Sequence, residues 1–271
     1  MAESSVGRIA ILGGGVMGET LLTTLVAAGQ EPSNIVVAEK SVERAAALRE
    51  AHGVEVTDSR AAVSDADLVL IVVKPQDVAD LLADVADAVR PGAILASFAA
   101  GVRTDRIEAA VAAGTPVVRI MPNTPAVVGE GMFGASPGVA CTEEHIALLG
   151  RLLAAGGRFV VVDEKLQDAL TAVSGSGPAY VFYLAEAMIA GGIEAGLDAT
   201  TARELTNQTI VGAAKLLSES DEDAAELRRR VTSPNGTTAA AIAVFDDREV
   251  KGAIAEGIVA AAQRSAELSG G

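Results

Sequence analysis

Arg8-Ile-Ala-Ile-Leu-Gly-Gly-Gly-Val-Met-Gly-Glu-Thr-Leu-Leu22 decides how the first half of this chain folds. A short apolar run leads into glycines, and the glycines lead straight into an apolar helical stretch. Within it Gly13-x-Gly15-x-x-Gly18 has the spacing of a phosphate-binding turn between a strand and a helix. Gly13 makes the tight turn, Gly15 admits a pyrophosphate to the backbone, and Gly18 lets helix and strand pack closely. Val16 and Met17 open the helix, whose N-terminal amides face the phosphates. The stretch therefore predicts a dinucleotide site.

The pattern continues outward from this turn. Apolar runs rich in Val and Ile predict strands at Arg8–Leu12, Ile35–Glu39, Val54–Val56, Leu68–Val73, Ile94–Phe98, Val117–Met121 and Phe159–Val162. They lack polar alternation, as strands covered on both faces do. Helical periods lie between them; after Pro75, Val78, Leu81, Leu82, Val85 and Val89 form one stripe. Strand and helix in alternation imply an α/β fold, a Rossmann-like doubly wound and mostly parallel sheet with right-handed crossovers. From about Glu164 no strand is expected. Helices are predicted at 165–173, 178–196, 199–219, 221–230, 236–246 and 248–268. The change of period places a boundary between a dinucleotide-binding domain, 1–163, and a helical domain, 164–271. The helix after Pro178 is apolar nearly all round, which implies burial on every side, here with a second subunit.

Composition narrows the function. The 271 residues carry a formal net charge of −15, which repels a phosphate backbone and argues against nucleic acid as a partner. An anionic cofactor must be held by backbone amides and a few placed cations. The single cysteine, Cys141, can form neither an internal disulfide nor a thiolate metal cluster, so no metal site is expected and a reducing, cytoplasmic setting fits. The opening residues lack the basic start and apolar stretch of a leader. No stretch reads as a membrane span.

Further candidates cluster where strands end, since ligands of open α/β sheets lie outside the carboxyl ends of strands. Glu39 stands where a carboxylate holds a ribose 2′-hydroxyl, which favours NAD. Lys40, Ser41 and Arg44 follow and suit a 2′-phosphate, or serve only as solvated helix-start charges; the sequence leaves these alternatives standing. Val72, Val73, Lys74 and Pro75 end the fourth strand, with Lys74 a cation near phosphate or ribose. Ala99, Ala100 and Gly101 end the fifth and are small enough for a cofactor to approach the backbone.

Three other stretches are more particular: Arg119-Ile-Met-Pro-Asn-Thr-Pro-Ala126, Ser174-Gly-Ser-Gly-Pro-Ala-Tyr180 and Val231-Thr-Ser-Pro-Asn-Gly-Thr-Thr238. Locally the last is a Pro- and Asn-Gly-fixed turn before a helix start, a good place for a carboxylate. Taken in order with Val72–Gln76 and Ser97–Gly101, they resemble the pyrroline-5-carboxylate reductase family over essentially the whole chain. The resemblance implies reduction of a cyclic imine to proline, with NADPH as cofactor and NADH as an alternative. It implies that Ser233, Asn235, Gly236, Thr237 and Thr238 hold the substrate carboxylate and ring nitrogen, with the Thr238 hydroxyl at the imine nitrogen as the catalytic group. It places Ser174, Ser176, Gly177 and Pro178 by substrate and nicotinamide, and Asn123 near the nicotinamide. It also implies a homo-oligomer through a helical dimerisation domain, with dimers assembling into a decamer. The chain departs from the family in having Asn235 where the signature has Gly, and Ser59 where many relatives have Asn. Asn tolerates a left-handed backbone, so the turn is expected to survive.

An iminium accepts hydride readily, so the expected work of such a site is orientation and exclusion of water. His52 and His145 lie outside every motif and are expected at the surface. A β-hydroxyacid dehydrogenase would need a lysine on the helix after the Ser-Gly turn, yet Tyr180–Glu194 contains none and the next is Lys215. A dinucleotide-binding sensor without catalysis would show a damaged substrate turn, whereas Ser233, Thr237 and Thr238 are all present.

Overall fold

The computed structural model describes residues 6–270; Met1–Ser5, part of the opening stretch read for a leader, lie outside the described residues. Eight strands form one sheet: β1 Ile9–Leu12, β2 Ile35–Ala38, β3 Glu55–Thr57, β4 Leu68–Ile71, β5 Ile94–Ser97, β6 Val117–Met121, β7 Gly131–Pro137 and β8 Gly157–Val161. The order is β3-β2-β1-β4-β5-β6-β7-β8, and every pairing is parallel except β6 with β7. Helices α1 Val16–Ala27, α2 Val42–His52, α3 Ser59–Ser64, α4 Val78–Val85, α5 Thr104–Glu108 and α6 Glu143–Leu153 connect them.

Alternation along β1 shows why the strands lack polar faces. Ile9 and Ile11 enter one hydrophobic cluster with Leu21, Leu25, Leu48 and Phe133, while Ala10 and Leu12 enter another with Val63, Val78 and Leu82. Each face of the sheet thus has its own core, and a polar residue at either parity would be buried. The doubly wound expectation holds.

Two strands differ from what the sequence predicts. β7, Gly131-Met-Phe-Gly-Ala-Ser-Pro137, is not among the strands expected from the sequence. Its small residues answer close approach: a Cβ on Gly131 would lie 2.6 Å from Ala126 Cβ, and one on Gly134 only 2.1 Å from Leu170 Cδ1. Phe133 at its centre is fully buried. The last strand was expected to be covered on both faces, but β8 is the sheet edge, with Val160 and Val161 exposed. An apolar run cannot distinguish an edge from a central strand.

The backbone divides into two compact units. One runs to Gly175 and takes in the chain again from Ala261 onward; the other is Ser176–Ala260. In the first, β8 is followed by α7 Gln167–Leu170 and a wide π-type turn over Thr171–Gly175. The second holds α8 Gly177–Glu194, α9 Ala199–Glu219, α10 Ala224–Arg230, α11 Thr237–Asp247 and the greater part of α12 Val250–Leu268. Among its described residues only Ala202 and Thr206 are buried. α8 buries none of its residues: Phe182 is 62% exposed, Tyr183 76% and Leu184 52%. Apolar helices with so little core of their own are built to be covered by another chain. No helix among the described residues is long and apolar enough to cross a membrane.

Phe133→Ala removes a fully buried ring from the strand that the sequence hid. The expected loss is about 3–5 kcal/mol, read by denaturant unfolding; a loss under about 1 kcal/mol would show that β7 contributes little to the core.

Candidate active site

β1 lies between β2 and β4, so the crossovers leave its carboxyl end in opposite directions and open a crevice there. The glycine turn fills that position. Gly13 has φ 112°, its N–H donates to the Ala38 carbonyl at 2.9 Å, and a Cβ on it would press to 3.0 Å against the backbone of Val72. A Cβ on Gly18 would sit 1.9 Å from the Gly13 carbonyl oxygen, so only glycine lets α1 start this close to β1. Gly15 differs from both: apart from its own chain neighbours, no atom of the described residues lies within 4 Å of where its Cβ would be. No side chain caps α1, and Gly15 and Val16 at its start are exposed, with Met17 half-buried behind them. An open, uncapped helix start with bare backbone fits a pyrophosphate.

The charges after β2 are arranged around this turn. Glu39 accepts the Gly14 N–H on one carboxylate oxygen (3.0 Å) and the Ser41 N–H on the other (2.8 Å). Ser41 caps α2 through the Arg44 N–H. Arg44 Nε donates to the Gly14 carbonyl at 2.7 Å and its guanidinium pairs with Glu19. Lys40 is exposed at the same corner. Glu39 and Ser41 are therefore brought to the glycine turn, while Arg44 braces that turn from behind.

Both histidines have local structural work. His52 Nε2 meets Glu19 Oε1 at 2.8 Å, half-buried, rather than lying free at the surface. His145 completes a reciprocal cap with Thr142 at the start of α6. The His52 and Arg44 hydrogen bonds hold the Glu19 carboxyl below its ordinary range. Burial pushes the Cys141 thiol up, and its Sγ–H donates to the Val117 carbonyl, so it stays a protonated packing group.

Across the crevice, the Val72 N–H donates to the Leu12 carbonyl at 2.8 Å, and Val73 and exposed Lys74 follow, ended by the turn at Pro75. After β5 the chain turns through Ala99, exposed Ala100 and Gly101, the last at φ 75°. Asn123 ends β6. Its Nδ2 donates to the Ser174 carbonyl at 3.2 Å and Oγ at 3.4 Å, while Oδ1 accepts the Met132 N–H at 2.9 Å. Its side chain thus clamps the π-type turn to β7, a role no local sequence signal announced. Behind these loops Arg119 is buried in β6, 3.7 Å from Glu164, which also accepts the Thr104 N–H and hydroxyl, each at 2.7 Å. Burial draws the Arg119 guanidinium below its ordinary pKa, with Glu164 and Asp168 acting against it.

In the second unit the predicted residues Ser233–Thr238 form one turn. The Gly236 N–H donates to the Ser233 carbonyl at 3.0 Å, Asn235 takes φ 61°, and α11 starts at Thr237 with no side-chain cap. Ser233 and Asn235 are exposed, and Thr238 is half-buried. The Asn at 235 adopts the left-handed backbone that its place in the turn demands. Ser176, Gly177 and Pro178 open α8, with Pro178 in its first turn.

A family model for pyrroline-5-carboxylate reductase dimerisation matches residues 164–268, and one for coenzyme F420-dependent NADP oxidoreductases matches residues 8–101. A Pseudomonas aeruginosa pyrroline-5-carboxylate reductase is 41% identical over 267 residues, covering 98% of this chain and 98% of that protein. The chain belongs to the pyrroline-5-carboxylate reductase family. A solved reductase of the family from Coxiella burnetii superposes with TM-score 0.92 at 32% identity, over 97% of this chain and 99% of its own. The Plasmodium falciparum pyrroline carboxylate reductase, solved with NADP bound, shares the fold with TM-score 0.87 at 24% identity, covering 99% and 100%. The chain carries the dimerisation region of this reductase family on helices whose apolar faces are open, and it forms a homo-oligomer.

Two predictions follow the geometry. Gly18→Ala should destabilise the protein, whereas Gly15→Ala should melt near wild type yet bind the dinucleotide about tenfold more weakly, roughly 1.4 kcal/mol; calorimetry and titration separate the two. Glu19 has a depressed carboxyl, so its contribution is full above the unfolded-state pKa and lost as pH falls through the folded one. The melting-temperature gap between wild type and Glu19→Gln should therefore close on acidification; a gap independent of pH would refute the assignment.

Proposed function

We propose that the protein is an NAD(P)H-dependent pyrroline-5-carboxylate reductase that reduces the cyclic imine 1-pyrroline-5-carboxylate to L-proline, as the final step of proline biosynthesis. The observation that carries this is the coexistence of an open, uncapped glycine helix start at the sheet switch point with an intact Ser233–Thr238 turn. Family membership over nearly the full length supports it.

The reduced nicotinamide, when bound, supplies the hydride. Gly13, Gly15, Val16, Met17 and Gly18 offer the backbone for the pyrophosphate. Glu39, Lys40 and Ser41 face the adenosine ribose, where NADPH is the expected partner and NADH an alternative. Val72, Val73, Lys74, Pro75, Ala99, Ala100 and Gly101 line the way to the nicotinamide, and Asn123 steadies Ser174 beside it. The amides of Gly236, Thr237 and Thr238 face the substrate carboxylate, with Ser233 and Asn235 completing the turn. The Thr238 hydroxyl hydrogen-bonds the ring nitrogen that gains the proton. Ser174, Ser176, Gly177 and Pro178 close on the same substrate. No strong acid is needed, because a protonated C=N carbon is already electrophilic; the protein contributes orientation and exclusion of water.

The working division is a dinucleotide-binding region, 1–163, and a substrate-binding and dimerisation region, 164–271, in a cytoplasmic enzyme whose dimers associate into a decamer. A monomer by light scattering at micromolar concentration would contradict that assembly.

Nicotinamide absorbance should fall on adding fresh pyrroline-5-carboxylate, with proline accumulating in step; no proline with either reduced coenzyme would end the proposal. Thr238→Ala should lower kcat/KM for the imine by on the order of tenfold or more, with dinucleotide affinity nearly unchanged. Equal losses in both would refute its role at the imine nitrogen.

A further inference from the structure

The loop Ala99–Gly101 poses a mechanical problem. Ala99 packs into the core, but exposed Ala100 and Gly101 after it have no side chain that could anchor them, and a loop that meets a cofactor through its backbone must be held in one shape. The structure supplies the support from the far end of the chain. α12 ends at Leu268 and the turn after it is tightly held: Ser269 is 4% exposed, and Gly270 adopts φ 72°. A Cβ on Gly101 would lie 3.3 Å from Ser269 Oγ and 3.6 Å from the Leu268 carbonyl oxygen. One on Gly270 would lie 2.6 Å from Arg106 Nη2 on α5, the helix that the loop leads into.

This last turn is anchored in its own right. Ser265 Oγ donates to Asp168 Oδ1 at 2.7 Å; Ser269 Oγ lies 3.3 Å from the same oxygen and donates to the Ser265 carbonyl at 2.9 Å. Asp168 is itself fixed from one side. Gln167, fully buried, donates through Nε2 to the Gly134 carbonyl (3.0 Å) and Ser136 Oγ (2.8 Å), and Glu164 one turn earlier holds the start of α5 through Thr104. The segment Glu164–Asp168 therefore grips β7, the helix after the loop, and the turn that backs the loop.

We propose that Asp168, Ser265 and Ser269 form a latch that holds the Ala99–Gly101 loop in its binding shape. They are positioning residues for the dinucleotide and touch it only through that loop. The inference rests on the dinucleotide reading of this unit and is independent of the imine.

The test compares wild type with Asp168→Ala, Asp168→Asn and the double variant Ser265→Ala/Ser269→Ala. NADPH and NADH are each titrated by calorimetry without imine, and amide hydrogen exchange is followed over Gly101–Thr104. Asn keeps an oxygen that accepts the Ser265 hydroxyl and lies beside Ser269, whereas Ala does not. The latch predicts about fivefold weaker binding, near 1 kcal/mol at 1.4 kcal/mol per tenfold, for the Asp168→Ala and double-serine variants. It also predicts faster loop exchange in both, with Asp168→Asn restored to near wild type. Unchanged affinity and exchange in those two variants, even with lowered melting temperatures, would overturn it, leaving these contacts merely structural. Asp168→Asn as weak as Asp168→Ala would overturn it too, assigning the effect to the carboxylate charge near Arg119. A wild type that binds dinucleotide but makes no proline would sink the reductase proposal while leaving these titrations able to judge the latch.

Discussion

A chain with fifteen net negative charges must hold an anionic dinucleotide, and the backbone is the means open to it. Side-chain cations near the glycine turn are few, and Arg44 is spent on the Gly14 carbonyl and Glu19. Attraction for the pyrophosphate must come from the amides of an uncapped helix start, whose partial positive charge is fixed by geometry. That requirement propagates through the fold. The amides serve only if α1 begins hard against β1, which needs Gly18, and only if β1 sits where the sheet reverses its winding. The Glu19–Arg44–His52 group then reads as bracing for the turn.

The helical unit has the opposite difficulty. Its helices are apolar, but Ala202 and Thr206 are the buried residues among those described. Its stability is tied to assembly, and so to protomer concentration. The turn before α11, proposed for the substrate, is thus carried by a part of the chain that depends on assembly. The first unit has a core of its own on each sheet face.

Much of this was legible in the sequence. Strand positions came from Val- and Ile-rich runs, and β6 begins and ends where those runs do. The glycine turn, the Asn235 backbone and the long helices α8 and α9 were equally plain, because local chemistry dictates them. What escaped was non-local. β7 is concealed because Gly134 answers Leu170, far later in the chain, and Gly131 answers Ala126 across the turn that precedes the strand. β8 looked like a covered strand because an edge differs from a centre only in its neighbours. Asn123 and Arg119 could be placed in a motif, but the clamp on Ser174 and the ion pair with Glu164 exist only once β6, β7 and the turn after β8 are assembled.

The α/β unit is interrupted in sequence by the whole of Ser176–Ala260 and is completed only by the residues that follow. During synthesis the ribosome must therefore deliver the entire sheet, then the helical insertion, before the final turn can dock behind the β5 loop. An emerging chain can assemble its sheet core early, while the β5 loop lacks the backing of Ser269 and Gly270 until they have left the exit tunnel.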